Sequence, residues 1–391
     1  MRPRLFVAVV GLVIVGGMVC PNVRPVHAGE QPPSYGYKVL EPIRHGSLTV
    51  FPVVAPKSYA TDEFLTLDEG LRSGEVVVTE YGNIRGLLRR RTTPAMQHDA
   101  AEVNRLVLIN NSKRPLVLLA GEIVTGGKQD RVIGKDRIVP AESDPVDLGV
   151  FCVEPGRWVA TSDHFGASGT TYASGFGSGS SSDGSVGGPI QKSAGTLMAQ
   201  PSVRAKAMGD KDQNEVWAEV RKQQQSMTVE VAAAPQASAA EIQSTSSYAR
   251  VMENKEVKEK VEEVARPIEQ NYQSLIRQLR DRKAVGVVVA VNGRIIWADV
   301  FASTDLLERY WPKLVRSYAS EAVVTRAKGG EASTAQAEEF LGEMEGRRET
   351  IESEPGIYRH TEVNGDGFKA FALTSLLPKT GFDVHVAKMA E

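Results

Sequence analysis

The chain is short of cysteine. Cys20 falls in an N-terminal apolar stretch, so past that stretch only Cys152 remains. A single cysteine closes no internal disulfide, and stability must come from buried apolar surface, which a chain of 391 residues can supply. Histidines are few and scattered. His45, His98, His164, His360 and His385 show no i, i+4 pair, and no Cys-x-x-Cys accompanies them, so no zinc-type metal site is indicated. Net charge is also lacking: the formal value of −2 offers no basic field for nucleic acid. Long hydrophobic runs occur once, at the start. Leu5 to Val19 follows two arginines and is too short for a membrane span, but has the length of a signal-peptide core. Val-His-Ala then ends at Ala28. The pattern predicts a signal peptide over 1–28 and export to the periplasm or beyond, with a retained anchor as the alternative. Val19 before Cys20 argues against a lipoprotein. No later run is long enough to cross a membrane.

What is present reads as α+β: mixed or antiparallel β-structure with packed helices. Residues 36–54 suggest two strands with a turn at His45 and Gly46. TDEFLTLDEGLRSG suggests a short helix capped by Thr61 or Asp62 and stopped by Gly74. VNRLVLINNSKRPLVLLAG predicts a β-hairpin, and RIVPAESDPVDLGVFCV two more strands. Residues 161–200 are rich in Gly and Ser and predict a flexible loop. Helical spacing begins at 212. A low-complexity linker is expected at 229–247, and a long helix after it with a break at Pro267. KAVGVVVAVNGRIIWADVFA predicts a hairpin turning at Asn292 and Gly293. Ser303 or Thr304 caps a helix that Pro312 should bend or split. A C-terminal segment, 331–391, adds a helix and a β-rich tail.

Two polar outcrops interrupt the apolar pattern. The first is AGEIVTGGKQDR, residues 120–131. A phosphate loop needs Gly-Lys-Ser/Thr, and Gln129 follows Lys128, so that assignment fails. Its glycines still allow a backbone nest, with Lys128, Gln129 and Arg131 beside an anion. The second is CVEPGRW. Arg157 and Trp158 suit a ligand wall, a guanidinium fork beside a stacking indole. Glu122 and Glu154 each sit just past a β-run, beside basic residues, and could face one cleft as general acid and base. The competing reading for all of them is structural ion pairing. Cys152 sits in an apolar run and reads as a buried small hydrophobe.

Taken together, LLAGEIVTGGKQDRVIGKDRIVPAES, VDLGVFCVEPGRW, DQNEVWAEV, LTLDEGL with GEVVVTEYG, and GVVVAVNGRIIWADVFASTDLLERYWPKL resemble the ARG and rhodanese-phosphatase-superfamily-associated protein domain, where ARG denotes ADP-ribosylglycohydrolase. The resemblance covers roughly 38–325. It implies one domain over 29–330 and no defined activity, since the family name records an association. The motif residues it points to are Glu122, Lys128, Gln129, Arg131, Cys152, Glu154, Gly156, Arg157, Trp158, Asp212, Gln213 and Trp217. The Gly/Ser insertion and the export signal depart from the family pattern.

The expectation is an exported protein binding an anionic, sugar or nucleotide-like ligand in a cleft lined by Glu122, Lys128, Arg131, Glu154 and Arg157. A hydrolase of phosphate- or ribose-containing substrates using paired carboxylates, and a non-catalytic envelope protein, are the alternatives. Neither a cofactor nor an oligomeric state is legible in the residues.

Overall fold

The runs LTVFPVVA (48–55) and KAVGVVVAV (283–291) are apolar at nearly every position, not at alternate ones. Strands of that composition need cover on both faces. A computed structural model gives them that cover. It describes residues 36–80, 104–157, 161, 162, 164–166, 197–232, 236–279, 282–326 and 329–391. The N-terminal apolar segment, His98, Trp158 and nearly all of the Gly/Ser stretch lie outside these residues.

In chain order the elements begin with β1 (Lys38–Val39), β2 (Ile43–His45), β3 (Leu48–Ala55), β4 (Leu65–Thr66), α1 (Leu67–Ser73), β5 (Val76–Glu80) and β6 (Arg105–Asn110). They continue with β7 (Leu116–Leu118), β8 (Glu122–Gly126), β9 (Arg131–Ile133), β10 (Arg137–Val139), β11 (Val146–Cys152), β12 (His164–Gly166) and β13 (Leu197–Met198). Helices α2 (Pro201–Ala205), α3 (Gln213–Glu230), α4 (Gln236–Ser244), α5 (Tyr248–Glu253) and α6 (Lys255–Gln278) follow, with a π-helical turn at Lys206–Asp210. The chain ends in β14 (Lys283–Val291), β15 (Arg294–Phe301), α7 (Thr304–Val324), α8 (Thr334–Gly342), β16 (Arg347–Glu354), β17 (Tyr358–Asn364), β18 (Phe368–Ser375) and β19 (Asp383–Ala390).

Strands β1, β3, β14, β15, β19, β18, β17 and β16 form one antiparallel sheet in that order, with β2 added on β3. Helices α6 and α7 pack on one face, through Ile268, Tyr272, Trp311 and Leu314. Helix α8 covers part of the other through Ala337 and Phe340. A second sheet closes on itself. β12, β5, β6, β11, β9 and β8 pair antiparallel in that order, and β8 pairs back to β12. Closure through β8 and β12 pairs most of the strand edges, and the short β13 pairs with the start of β8. Its core residues, among them Val78, Leu106, Val124, Val150 and Phe165, also pack against the small sheet β10-β7-β4.

The α+β reading holds, and several local signals act as expected. Asn292 and Gly293 take positive φ of 51° and 77° between β14 and β15, and a Cβ at Gly293 would meet the Gly330 carbonyl at 2.4 Å. Ser303 caps α7 by accepting from Leu306 N at 3.0 Å. Gly74 stops α1 in the left-handed region.

Other expectations are corrected. The N-cap of α1 is Thr66, not Thr61 or Asp62, because a capping box with Glu69 fixes the start. β6 and β7 do not pair as a hairpin. The Asn110 side chain donates to the carbonyls of Arg114 (2.8 Å) and Pro140 (2.9 Å), and this turns the chain out of the barrel into the small sheet. The break near the long helix falls at Asn254, which caps α6, and not at Pro267. Both Pro267 and Pro312 sit inside unbroken helices. The carbonyls they leave without a helical donor belong to Glu263 and Glu308, both at exposed positions. The stretch read as a linker contains α4, anchored by Gln224 Nε2 donating to the Ile242 carbonyl at 2.7 Å. Finally, 331–391 is no appendage, since β16 to β19 complete the large sheet. Among the described residues no helix is long and apolar enough to cross a membrane.

Candidate functional site

The polar outcrop after β8 folds into a turn that its glycines permit. Gly126 and Gly127 have φ of 122° and 51°, and a Cβ on Gly127 would lie 2.2 Å from Phe165 and 2.7 Å from Glu80 Oε1. Successive backbone N–H groups then point at the protein's own oxygens. Gly126 N donates to Asp130 Oδ1 (3.1 Å), Gly127 N to Ser162 Oγ (3.1 Å), Lys128 N to Glu80 Oε1 (2.8 Å) and Asp130 N to Glu154 Oε2 (3.1 Å). The nest is real, and internal carboxylates and a hydroxyl already occupy its donors. Arg157 clamps the same turn from across the CVEPGR corner. It donates to Glu154 Oε2 at 2.6 Å and to the Gly127 carbonyl at 3.0 Å, and lies 3.6 Å from Asp130. Ser247, at the start of α5, donates to Asp130 Oδ2 at 2.6 Å. Burial, together with the charge of Glu154, raises the Asp130 carboxyl to about 6.

Several side chains of this turn keep polar atoms without a protein partner. They are Nε and Nη2 of Arg131, Oε2 of Glu80 and Oε1 of Gln129, all buried. Arg131 is wholly enclosed and bonds only weakly, to the Asp130 carbonyl at 3.4 Å. Burial lowers its basicity, against the pull of Cys152, Glu80 and Asp130.

A second charged centre lies at the other end of β8, between barrel and large sheet. Glu122 Oε2 accepts from Leu119 N at 2.7 Å, and Oε1 accepts from Lys313 Nζ at 2.5 Å. Lys313, on α7, also reaches Asp68 Oδ2 at 2.8 Å and lies 4.6 Å from the Tyr310 ring centroid. Burial raises the Glu122 carboxyl, with Lys313 opposing. Two residues before Glu122, Ala120 N donates to Asp136 Oδ1 at 2.7 Å. Asp136 Oδ2 meets His385 Nδ1 at 2.6 Å, and His385 Nε2 meets Asp299 Oδ1 at 3.1 Å. Asp299 holds Arg204 in a two-pronged pair at 2.8 and 3.0 Å and accepts from the Tyr318 hydroxyl. Asp136, Arg204, Asp299 and His385 are all 0% exposed. The two carboxylates hold His385 up at about 9, against burial, so it is a cation at neutral pH. Asp136 and Asp299 stay ionised: burial opposes this, and the charges of His385 and Arg204 respectively outweigh it. Gly121 is required here, because a Cβ would strike Arg204 at 2.6 Å.

The structure thus brings Gln129, Arg131, Glu154 and Arg157 together, with the half-buried Lys128 on the same turn. It does not join Glu122 to them. Glu122 opens β8 and Gly126 closes it, a span of about 13 Å at the usual strand rise, and the two glutamates belong to different networks. The carboxyl neighbouring Glu154 is Asp130. Trp158 lies outside the described residues. Cys152 is buried, and burial raises its thiol. Its backbone is gripped by Gln213, whose side chain accepts from Cys152 N (2.8 Å) and donates to its carbonyl (2.9 Å), while Asp212 caps α3. These motif residues fasten α3 to the barrel. Sequence reasoning missed Asp68, Glu80, Asp130, Asp136, Arg204, Asp299 and Lys313. A signal existed for Asp299 and His385: each is a charged or titratable residue inside an apolar strand, WADVF and DVHVA. Among the described residues, no three His, Cys, Asp or Glu side chains are grouped to hold a metal ion.

A family model, the ARG and Rhodanese-Phosphatase-superfamily-associated Protein domain, matches residues 36–388, and the chain belongs to that family. No curated protein and no solved structure matches the chain.

Proposed function

We propose, with that membership as the premise, that the chain is an exported ligand-binding protein whose site is the charged turn after β8. Its ligand is a small anionic or sugar-like molecule. The observation that carries the reading is Arg131: a guanidinium with no exposure, whose Nε and Nη2 have no protein partner, while Glu80 and Gln129, bonded into the same turn, have one oxygen each in the same condition. Buried polar groups without partners are destabilising by about 1–3 kcal/mol each, and they concentrate where a water or ligand completes the network. Lys128 and Arg157 flank the turn; Glu122 lies outside it.

The test is a thermal-shift screen of phosphate, carboxylates, sugars and nucleotides on the wild type, Arg131→Lys and Arg157→Ala. A ligand at a hundred times its Kd should stabilise the fold by about 2.7 kcal/mol, and the variants should lose that gain. Silence across the screen would replace this reading with a structural protein of the cell envelope. Export is checked separately: the secreted form should begin at Gly29.

A second reading is a hydrolase, favoured by one observation. Asp130, raised to about 6, adjoins Glu154 under the shared guanidinium of Arg157. A carboxyl that exchanges its proton near neutral pH, beside a second carboxyl, can act as acid or base. Product release from phosphate or ribose esters that survives both Asp130→Asn and Glu154→Gln would remove this reading.

A further inference from the structure

If the turn binds a ligand, its unpartnered atoms restrict what that ligand is; this step rests on the reading above. The donors are Nε and Nη2 of Arg131, and the acceptors are Glu80 Oε2 and Gln129 Oε1. Arg131, Glu80 and Gln129 are 0%, 4% and 5% exposed. Each acceptor side chain is pinned by its other end. Glu80 Oε1 accepts from Lys128 N at 2.8 Å, and Gln129 Nε2 donates to the Glu154 carbonyl at 3.1 Å. Glu80 is also close enough to Arg131 to oppose the effect of burial on it. Thr125, Gly126 and Lys128 are part-exposed, so the cluster lies one side chain below the surface.

Nε and Nη2 share one edge of the guanidinium and present parallel N–H bonds to two neighbouring oxygens. A carboxylate, a phosphate and a vicinal diol all offer such a pair. They differ in what they return. A carboxylate or a dianionic phosphate ester only accepts, so Glu80 Oε2 and Gln129 Oε1 would stay unbonded. It would also bring negative charge beside Glu80, Asp130 and Glu154, which Lys128, Arg131 and Arg157 do no more than balance. A hydroxyl both accepts and donates. Two adjacent hydroxyls accept from Arg131 and donate to Glu80 and Gln129, and all four atoms are then bonded.

We propose that the turn recognises an uncharged vicinal diol, such as a ribose or glycan ring edge, in preference to phosphate or carboxylate. The experiment is titration calorimetry on the secreted chain with methyl β-ribofuranoside, its 2-deoxy analogue, inorganic phosphate and acetate. Wild type, Arg131→Lys and Gln129→Met are compared, with melting curves to confirm folding. If Arg131→Lys fails to fold, Gln129→Met carries the test. The ribofuranoside should bind, and its deoxy analogue about tenfold more weakly, as loss of one hydrogen-bonded group implies. Gln129→Met should weaken the ribofuranoside by a similar factor, and phosphate and acetate should not bind. Phosphate or acetate binding that Arg131→Lys or Gln129→Met weakens, without the ribofuranoside, keeps the site and overturns the diol. Equal binding of both sugars, or indifference to Gln129→Met, also overturns it. Binding of none of the four probes removes site and diol together.

Discussion

The two ends of β8 handle charge in opposite ways. At Glu122 and beyond, the interior centre bonds every carboxylate oxygen of Asp136, Asp299 and Glu122 and both ring nitrogens of His385. Nε of Arg204, whose guanidinium lies 4.4 Å from the Trp297 ring centroid, and Nε1 of that tryptophan are left over. At Gly126 and beyond, the turn centre is largely buried, with Lys128 and Arg157 part-exposed, yet leaves donors on Arg131 and acceptors on Glu80 and Gln129 unmatched. The interior centre therefore behaves as a structural joint between barrel and sheet. The turn centre is where the protein's own groups leave hydrogen bonds unmade. Burial and charge alone do not separate the two; the hydrogen-bond inventory does.

The largest expected break in that contrast comes from removing one member of the joint. Arg204→Met leaves Asp299 and His385 unbalanced in a dry site and should destabilise by about 3–5 kcal/mol in urea melts. A loss below about 1 kcal/mol would make the joint no different from the turn.

The next effect is on pH. His385 titrates at about 9 when folded against an ordinary 6.5, so folding binds its proton more tightly. That contribution is fully present below pH 6.5 and is lost as pH rises through about 9. Wild-type stability should fall by about 3 kcal/mol across that window, and His385→Gln should flatten the slope.

A smaller effect tests the link between β11 and α3. Gln213→Ala removes both of its bonds to Cys152 and should destabilise by about 1–2 kcal/mol, with early hydrogen exchange in α3.

The smallest effects belong to the turn, and one has the opposite sign. The folded Asp130 carboxyl is raised to about 6 against 3.8, so its contribution is present at low pH and lost as pH rises through 6. Asp130→Asn imitates the protonated form and should stabilise by about 1 kcal/mol at pH 7, whereas Asp299→Asn should destabilise. Arg131→Met should fall within about 1 kcal/mol of wild type without ligand, since it removes a guanidinium that has little bonding to lose. Equal losses from Arg131→Met and Arg204→Met would erase the distinction between the centres.

Part of this was legible beforehand. The β14–β15 turn, the Ser303 cap, the Gly74 stop and the four C-terminal strands all follow from signals within a few residues. The grouping of Gln129, Arg131, Glu154 and Arg157 was also anticipated, because a polar turn after a strand has few places to go. The pairing of Glu122 with Glu154 was not realised. Their similar flanks gave no hint that one opens β8 and the other meets its far end.

The sequence by itself determined the elements: periodicity, caps and positive-φ turns act over distances the local chain already spans. Only the tertiary structure decided the partners. His385 meets Asp136 across 249 positions, Lys313 meets Glu122 across 191, and Arg204 meets Asp299 across 95. Which acid a buried cation finds depends on how a closed barrel and a nine-stranded sheet stack. That is set by the summed burial of the whole chain, and no short stretch encodes it.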